Sequence, residues 1–189
     1  MSTIKIRKAD FIKGKSLVLR NVVVADAAFI LSLRTDPKKS RHLSQVSDDL
    51  GEQVAWISSY ENRDTEAYFI IEDFHGVPLG TVRMYDARGE SFCWGSWILL
   101  EGVVSSAAIE SALMVYAYAL ESLGFRCAHF QVRKDNERVW KFHERFGAER
   151  TAENEVEYEY NLSNMAIEVS VNRYRRYLPY GVHVEEFLK

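Results

Sequence analysis

Residues 119–148 read ALESLGFRCAHFQVRKDNERVWKFHERFGA, and glycines divide them into pieces whose order decides the fold. Gly124 follows a run in which Ile109, Leu113, Tyr116, Leu120 and Leu123 recur at spacings of three and four, one face of a helix over 105–123. A glycine just past the last periodic residue closes such a helix. CAHFQV (127–132) predicts a strand after only a tight turn, and Asn136 to Phe146 predicts a helix that Gly147 ends. Immediately upstream, SFCWGSWILL (91–100) is strand-like. Strand, helix and strand therefore form a crossover unit, right-handed and locally parallel.

Upstream of that unit, AYFIIEDF (67–74) and PLGTVRMYDA (78–87) precede 91–100 with turns at His75-Gly76 and Arg88-Gly89, so three strands form an antiparallel meander. SLVLRNVVV (16–24) is a first strand, and Asp26 suits the start of a helix running to about Arg34. Pro37 breaks the pattern; a second helix runs from Ser47 to about Asn62 with Leu50, Val54 and Ile57 on one face. At the other end AENEVEYEYNL (152–162) reads as one more strand. Ser163 to Leu178 reads as an added helix with Ile167, Val171, Tyr174 and Leu178 on its buried face, stopped by Pro179. The prediction is an α/β chain of the α+β type: a central mixed sheet, mostly antiparallel with one parallel crossover, flanked by helices. Its expected division is an arm over 1–15, a domain over 16–162 and a helical extension over 163–189, packed on the domain or on a second subunit; a homodimer is the favoured expectation.

A chain of 189 residues can bury a full core, and 47% hydrophobic with 27% charged residues sets disorder aside. The net charge of −3 gives no global field for nucleic acid or an anionic membrane, and the basic N-terminal residues (Lys5, Arg7, Lys8, Lys13, Lys15) read as a solvated terminus. Cys93 and Cys127 lie in strand-like runs without metal-ligand spacing, so no metal and no disulfide are expected. No run reaches the roughly 18 apolar residues of a membrane span, and the first residues lack the apolar core of a signal peptide; a cytoplasmic protein is expected.

The junction between strand 91–100 and helix 105–123 is where chemistry is expected, because a helix start offers unpaired N–H groups and the positive end of its dipole to an anion. Three blocks, LVLRNVVVADAAFILSLRTDP (17–37), GTVRMYDARGESFCWGSWIL (80–99) and the opening stretch, resemble the GNAT superfamily of N-acetyltransferases, in the branch of the ribosomal-protein N-terminal and spermidine acetyltransferases. The resemblance covers about Ser16 to Leu162. It implies a GNAT-like sheet, acetyl-CoA as co-substrate and transfer of acetyl to a primary amine by direct attack. The acceptor implied is a protein N-terminus, a polyamine or an amino sugar carried on a nucleotide; Trp94, Trp97 and Tyr85 fit a ring-bearing one.

The same resemblance assigns residues. Val104, Ser105, Ser106, Ala107, Ala108 and Ile109 stand where the family cradles the coenzyme's pyrophosphate, although Ala107 replaces its glycine and Val104 its Gln or Arg. The main chain of Trp97, Ile98 and Leu99 would pair with the pantetheine arm, which Asn136 would also face. His143 falls where many relatives carry a tyrosine that protonates the leaving thiolate. No carboxylate occupies the centre of strand 91–100, where some relatives keep a base. Ser96 could orient a water there, and Glu66, Glu72 or Glu101 could serve from nearby, each more simply a solvated surface group. Plain readings stand beside these: Ser105-Ser106 and Asn136 as helix caps, His143 as a structural histidine. The rival function is a non-catalytic GNAT-like assembly module that has lost its coenzyme.

Overall fold

The computed structural model describes residues 4–42 and 44–187. In chain order these form β1 (Ala9–Lys13), β2 (Leu17–Asn21), α1 (Ala27–Thr35), α2 (Pro37–Ser40), α3 (Leu50–Glu61), β3 (Ala67–Asp73), β4 (Pro78–Arg88), β5 (Ser91–Leu99), α4 (Ser106–Ala117), β6 (Cys127–Arg133), α5 (Glu137–Arg145), β7 (Glu149–Glu153), β8 (Glu157–Ser163), α6 (Asn164–Arg173) and β9 (His183–Glu186). The strands join one sheet in the order β7-β8-β6-β5-β4-β3-β2-β1-β9. All the paired strands are antiparallel except β5 and β6, the two ends of the α4 crossover. The mixed α/β sheet flanked by helices is the architecture expected from the sequence.

Strand β3 explains how two helical layers share this sheet. Ala67, Phe69 and Ile71 point into the main core with α4, whereas Tyr68 and Ile70 point to the opposite face and pack with Ile30 of α1 and Ile57 and Tyr60 of α3. A strand covered on both faces is apolar throughout, which is why AYFII lacks alternation. Helix α4 carries Ala112, Leu113, Met114, Val115 and Tyr116 fully buried and continues through one wider π turn over Tyr118–Leu123. Gly124, at φ 88°, then turns the chain back as only a glycine does without strain. The buried Glu110 of α4 anchors the helix to the start of β2: its carboxylate accepts from Ser16 N at 2.6 Å, Ser16 Oγ at 2.5 Å and Leu17 N at 3.1 Å.

Four elements differ from expectation. ADFIK, read as solvated terminus, is β1, paired to β2. The run 152–162, read as one strand, is part of a hairpin: Asn154 Oδ1 accepts from Val156 N and Glu157 N, both at 2.8 Å, and turns the chain between β7 and β8. Helix α6 ends at Arg173, and beyond Pro179 the chain supplies β9, which pairs with β1 through Ile12–Val184 and Lys13–His183. The apolar face of α6 is covered within the chain: Ile167 is buried, Ser170 Oγ donates to Phe146 O at 2.8 Å, and the Tyr174 and Phe146 rings stack at 5.0 Å. That stripe packs on this chain's own residues, while Met165 and Val169 on the other side of α6 are exposed. Among the described residues no helix is long and apolar enough to cross a membrane.

Candidate active site between β5 and β6

β5 and β6 pair only at their first rungs, Ser91 with Cys127 and Phe92 with Ala128, and then diverge. β6 remains paired to β8 along its whole length, and β5 to β4 on either side of two register shifts, so the gap opens between two sheet halves. Consecutive residues of both strands, Cys93 to Trp97 and His129 to Arg133, line the resulting cleft of about 440 Å³. Backbone groups that would have continued the ladder face this space, and buried backbone polar groups demand partners.

A bulge on β5 shapes the middle of the cleft. Arg83 pairs with Gly95 and Thr81 with Ile98, leaving Ser96 and Trp97 opposite Val82 alone. Ser96 sits at φ 46°, a left-handed conformation uncommon for a residue other than glycine, costing of order 1–3 kcal/mol and typical of functional positions. The distortion is held in place by Thr81, whose Oγ1 donates to Ser96 O at 2.8 Å. Gly80 allows the close approach of β4 behind it, since a Cβ there would lie 2.1 Å from Ile98 O. From the last turn of α1, Arg34 reaches over: Nη1 is 3.4 Å from Ser96 Oγ, Nη2 donates to Ser44 O at 2.8 Å and to Ser44 Oγ at 3.0 Å, and the buried Nε has no partner.

The expected site residues fall into two groups. Ser96, Trp97, Asn136 and His143 meet in the cleft. Ile98 is buried and Leu99 half-buried farther along β5. Val104 to Ile109 lie beyond the cleft lining, at the start of α4. There the Ser105 side chain makes no capping hydrogen bond, so the plain cap reading does not hold, and Ile109 packs sideways against the core. Asn136 likewise makes no side-chain cap on α5. Trp97 Nε1 donates to Ser111 Oγ at 3.2 Å, tying β5 to α4, and its ring lies 5.0 Å from that of Phe142.

His143 is buried among the rings of Trp94, Phe130 and Phe142, with Nδ1 unpartnered. Burial alone drives its pKa down to about 3. The imidazole is neutral at pH 7, and what it offers is a neutral N–H. Of the candidate carboxylates, Glu66 is buried between Arg63 and Arg83, Glu72 is buried against Arg20 at 3.0 Å, and Glu101 is exposed in the turn after β5. The first two are structural ion pairs rather than solvated groups.

A family model described as an acetyltransferase (GNAT) domain matches residues 16–149. The chain belongs to the GNAT acetyltransferases. Among solved structures, this GNAT protein is similar to apo FdhC, described as a nucleotide-linked sugar GNAT: 37% identity, 93% of this chain and 99% of that one, TM-score 0.80. Its fold is shared by a GCN5-related N-acetyltransferase from Brucella melitensis (15% identity, 93% and 88% covered, TM-score 0.75). It is shared also by a spermidine N-acetyltransferase from Vibrio cholerae solved with CoA and spermine (16%, 81% and 98%, 0.70). No curated protein sequence matches the chain.

Cleft residues that sequence reasoning passed over are Arg34, Asp86, Arg88, His129, Gln131 and Arg133. A signal for the last three was present. In CAHFQVR the positions 129, 131 and 133 are polar while 128, 130 and 132 are apolar, the period of a strand with one wet face. Those three polar residues line the GNAT cleft together with Phe130 and Val132.

Proposed function

We propose that this GNAT acetyltransferase moves an acyl group, acetyl in the simplest case, from its coenzyme A thioester to the primary amine of a nucleotide-linked amino sugar. The observation that carries the reading is the near end-to-end similarity to a nucleotide-linked sugar GNAT at 37% identity. The cleft supports it in kind: Arg34 and Arg133 offer charge to phosphate, and Tyr85, Trp94 and Trp97 offer ring faces.

The residues present fit a coenzyme A thioester. The unpaired edges of β5 and β6 suit an amide-bearing arm laid between them, and the uncapped start of α4 leaves N–H groups with small side chains at Ser105, Ser106 and Ala108. The thioester, when bound, supplies an activated carbonyl. On this reading the backbone at the Ser96 bulge polarises that carbonyl, since N–H groups aimed at a developing oxyanion lower the barrier most. His143, neutral and unpartnered, donates a hydrogen bond to the departing thiolate. Asn136 orients the arm beside it.

Release of free thiol, followed with acetyl-CoA against nucleoside-diphosphate amino sugars, spermidine and an N-terminal peptide, tests the reading. Turnover with the amino sugars at kcat/KM at least a hundredfold above the other amines is expected. Preference for spermidine or the peptide would contradict it.

A further inference from the structure

The arginines that line the cleft differ in what holds them. Arg88 pairs with Asp86 of its own strand, and Arg133 donates through Nε to Asp135 at 3.1 Å while standing across from Glu157 of β8. Arg34 makes no ion pair with a carboxylate among the described residues. The nearest acid along the chain, Asp36, is taken by Lys39 and by Lys38 N at the start of α2. Nη2 of Arg34 is spent on Ser44 O and Oγ, Nη1 reaches Ser96 Oγ only at 3.4 Å, and the buried Nε has no partner. The half-buried guanidinium is thus incompletely hydrogen-bonded, and its charge is unbalanced at the one place where β5 bulges into the cleft. A charge drawn partly out of water without a counter-charge is costly to keep, and an anion supplied by a ligand removes the cost.

We propose that Arg34 selects the acceptor by its phosphate: the guanidinium takes the phosphate carried on the amino sugar, one ring away from the amine, and so brings that amine to the Ser96 bulge. The proposal rests on the nucleotide-linked sugar reading above and adds to it the residue that recognises the acceptor. Arginine suits the task, because its planar fork of N–H donors matches phosphate oxygens in pairs.

Two features of the fold support the assignment. Helix α1 lies on the face of the sheet opposite α4, since Ile30 packs with Tyr68 and Ile70 while α4 packs with Phe69 and Ile71. Arg34 therefore reaches the cleft from the side away from the start of α4, where the coenzyme's pyrophosphate is read, and its charge meets what enters from the other side. The acids along the cleft, Asp86, Glu157 and Glu159, oppose a phosphate beside them but accept readily from hydroxyls. A phosphate at Arg34 leaves the sugar's hydroxyls to those carboxylates. A polyamine, by contrast, brings further cations toward an unbalanced guanidinium.

Calorimetric titration of UDP and dTDP into the protein saturated with CoA, so that the coenzyme's own nucleotide site is filled, reads the diphosphate directly. Arg34→Gln should weaken the tighter of the two about 10- to 100-fold, the worth of charge-assisted hydrogen bonds. Arg133→Gln, whose charge is already shared with Asp135, should weaken it less than about threefold. CoA affinity and melting temperature should match wild type in both variants. Steady-state kinetics carry the test to the acceptor. With the amino sugar as its nucleoside diphosphate and as its 1-phosphate, kcat/KM should fall at least about tenfold in Arg34→Gln, chiefly through KM, and with the same sugar free of phosphate less than about threefold. Equal losses with and without phosphate, a larger loss in Arg133→Gln, or UDP and dTDP bound no better by wild type than by Arg34→Gln overturns the assignment while the acyl-transfer reading stands. A wild type that prefers spermidine or an N-terminal peptide overturns both.

Discussion

His143 shows what one buried side chain does to both stability and mechanism. Its pKa in the folded chain is about 3 against an ordinary 6.5, so in acid the unfolded chain takes up a proton that the folded one refuses. The stability it permits is intact above pH 6.5 and is lost as pH falls toward 3, amounting to about 2 to 3 kcal/mol at pH 4.5. His143→Phe fits the Trp94, Phe130 and Phe142 surroundings, and urea unfolding should show it less acid-sensitive than wild type by that amount, with kcat reduced. Equal acid sensitivity would mean the ring titrates freely. Glu110 is the opposite case, a buried carboxylate with three donors. Glu110→Ala strands Ser16 N and Leu17 N without partners and should cost about 3 kcal/mol in the same measurement at pH 7; a loss under 1 kcal/mol would contradict the anchoring role.

Helix α4 begins without a side-chain cap, and that absence has an energetic signature. Ser105 is exposed, whereas Ala107 is buried, so only the former can be changed without disturbing packing. Ser105→Asp puts a carboxylate at the positive end of the helix, worth about 0.3 to 1 kcal/mol to the fold, and directly against a bound pyrophosphate. The melting temperature should hold or rise while CoA affinity falls at least tenfold by calorimetric titration. Unchanged affinity would remove the helix start from the binding site. The helix and its two strands were legible because α4 is largely buried and β6 alternates cleanly between buried and more exposed positions. β1, β7 and β9 were not. They lie at or next to the sheet edges, and ERTAE of β7 is exposed at every position, so no alternation marks it. Within the site, Ser96 was visible by its place in β5, but its left-handed backbone depends on Thr81 and Gly80 across the bulge. Asp86, His129 and Ser91, joined by hydrogen bonds, come from three strands, and no local spacing reports that.

The molecule as a whole is a sheet closed at one edge by its own C-terminal residues and opened in the middle. β9 covers the free side of β1, and Lys13 pairs with Glu185 across that junction. Deleting everything after Ser163 removes α6 and β9, bares Phe146 and exposes β1 as an unprotected edge; the shortened chain should melt more than 5 °C lower or aggregate, by scanning calorimetry and light scattering. An unchanged melting temperature would show that these elements are appended rather than integral. The central claim concerns the opening, that the gap between β5 and β6 with the start of α4 is where the coenzyme lies. Hydrogen exchange with and without CoA tests it directly. Amides of 93–99 in β5 and 104–108 at the start of α4 should slow together on binding, while β1, β2 and β9 remain as they were. Binding of CoA that leaves both segments exchanging at their free rates, or that protects a region away from the gap, would contradict the account.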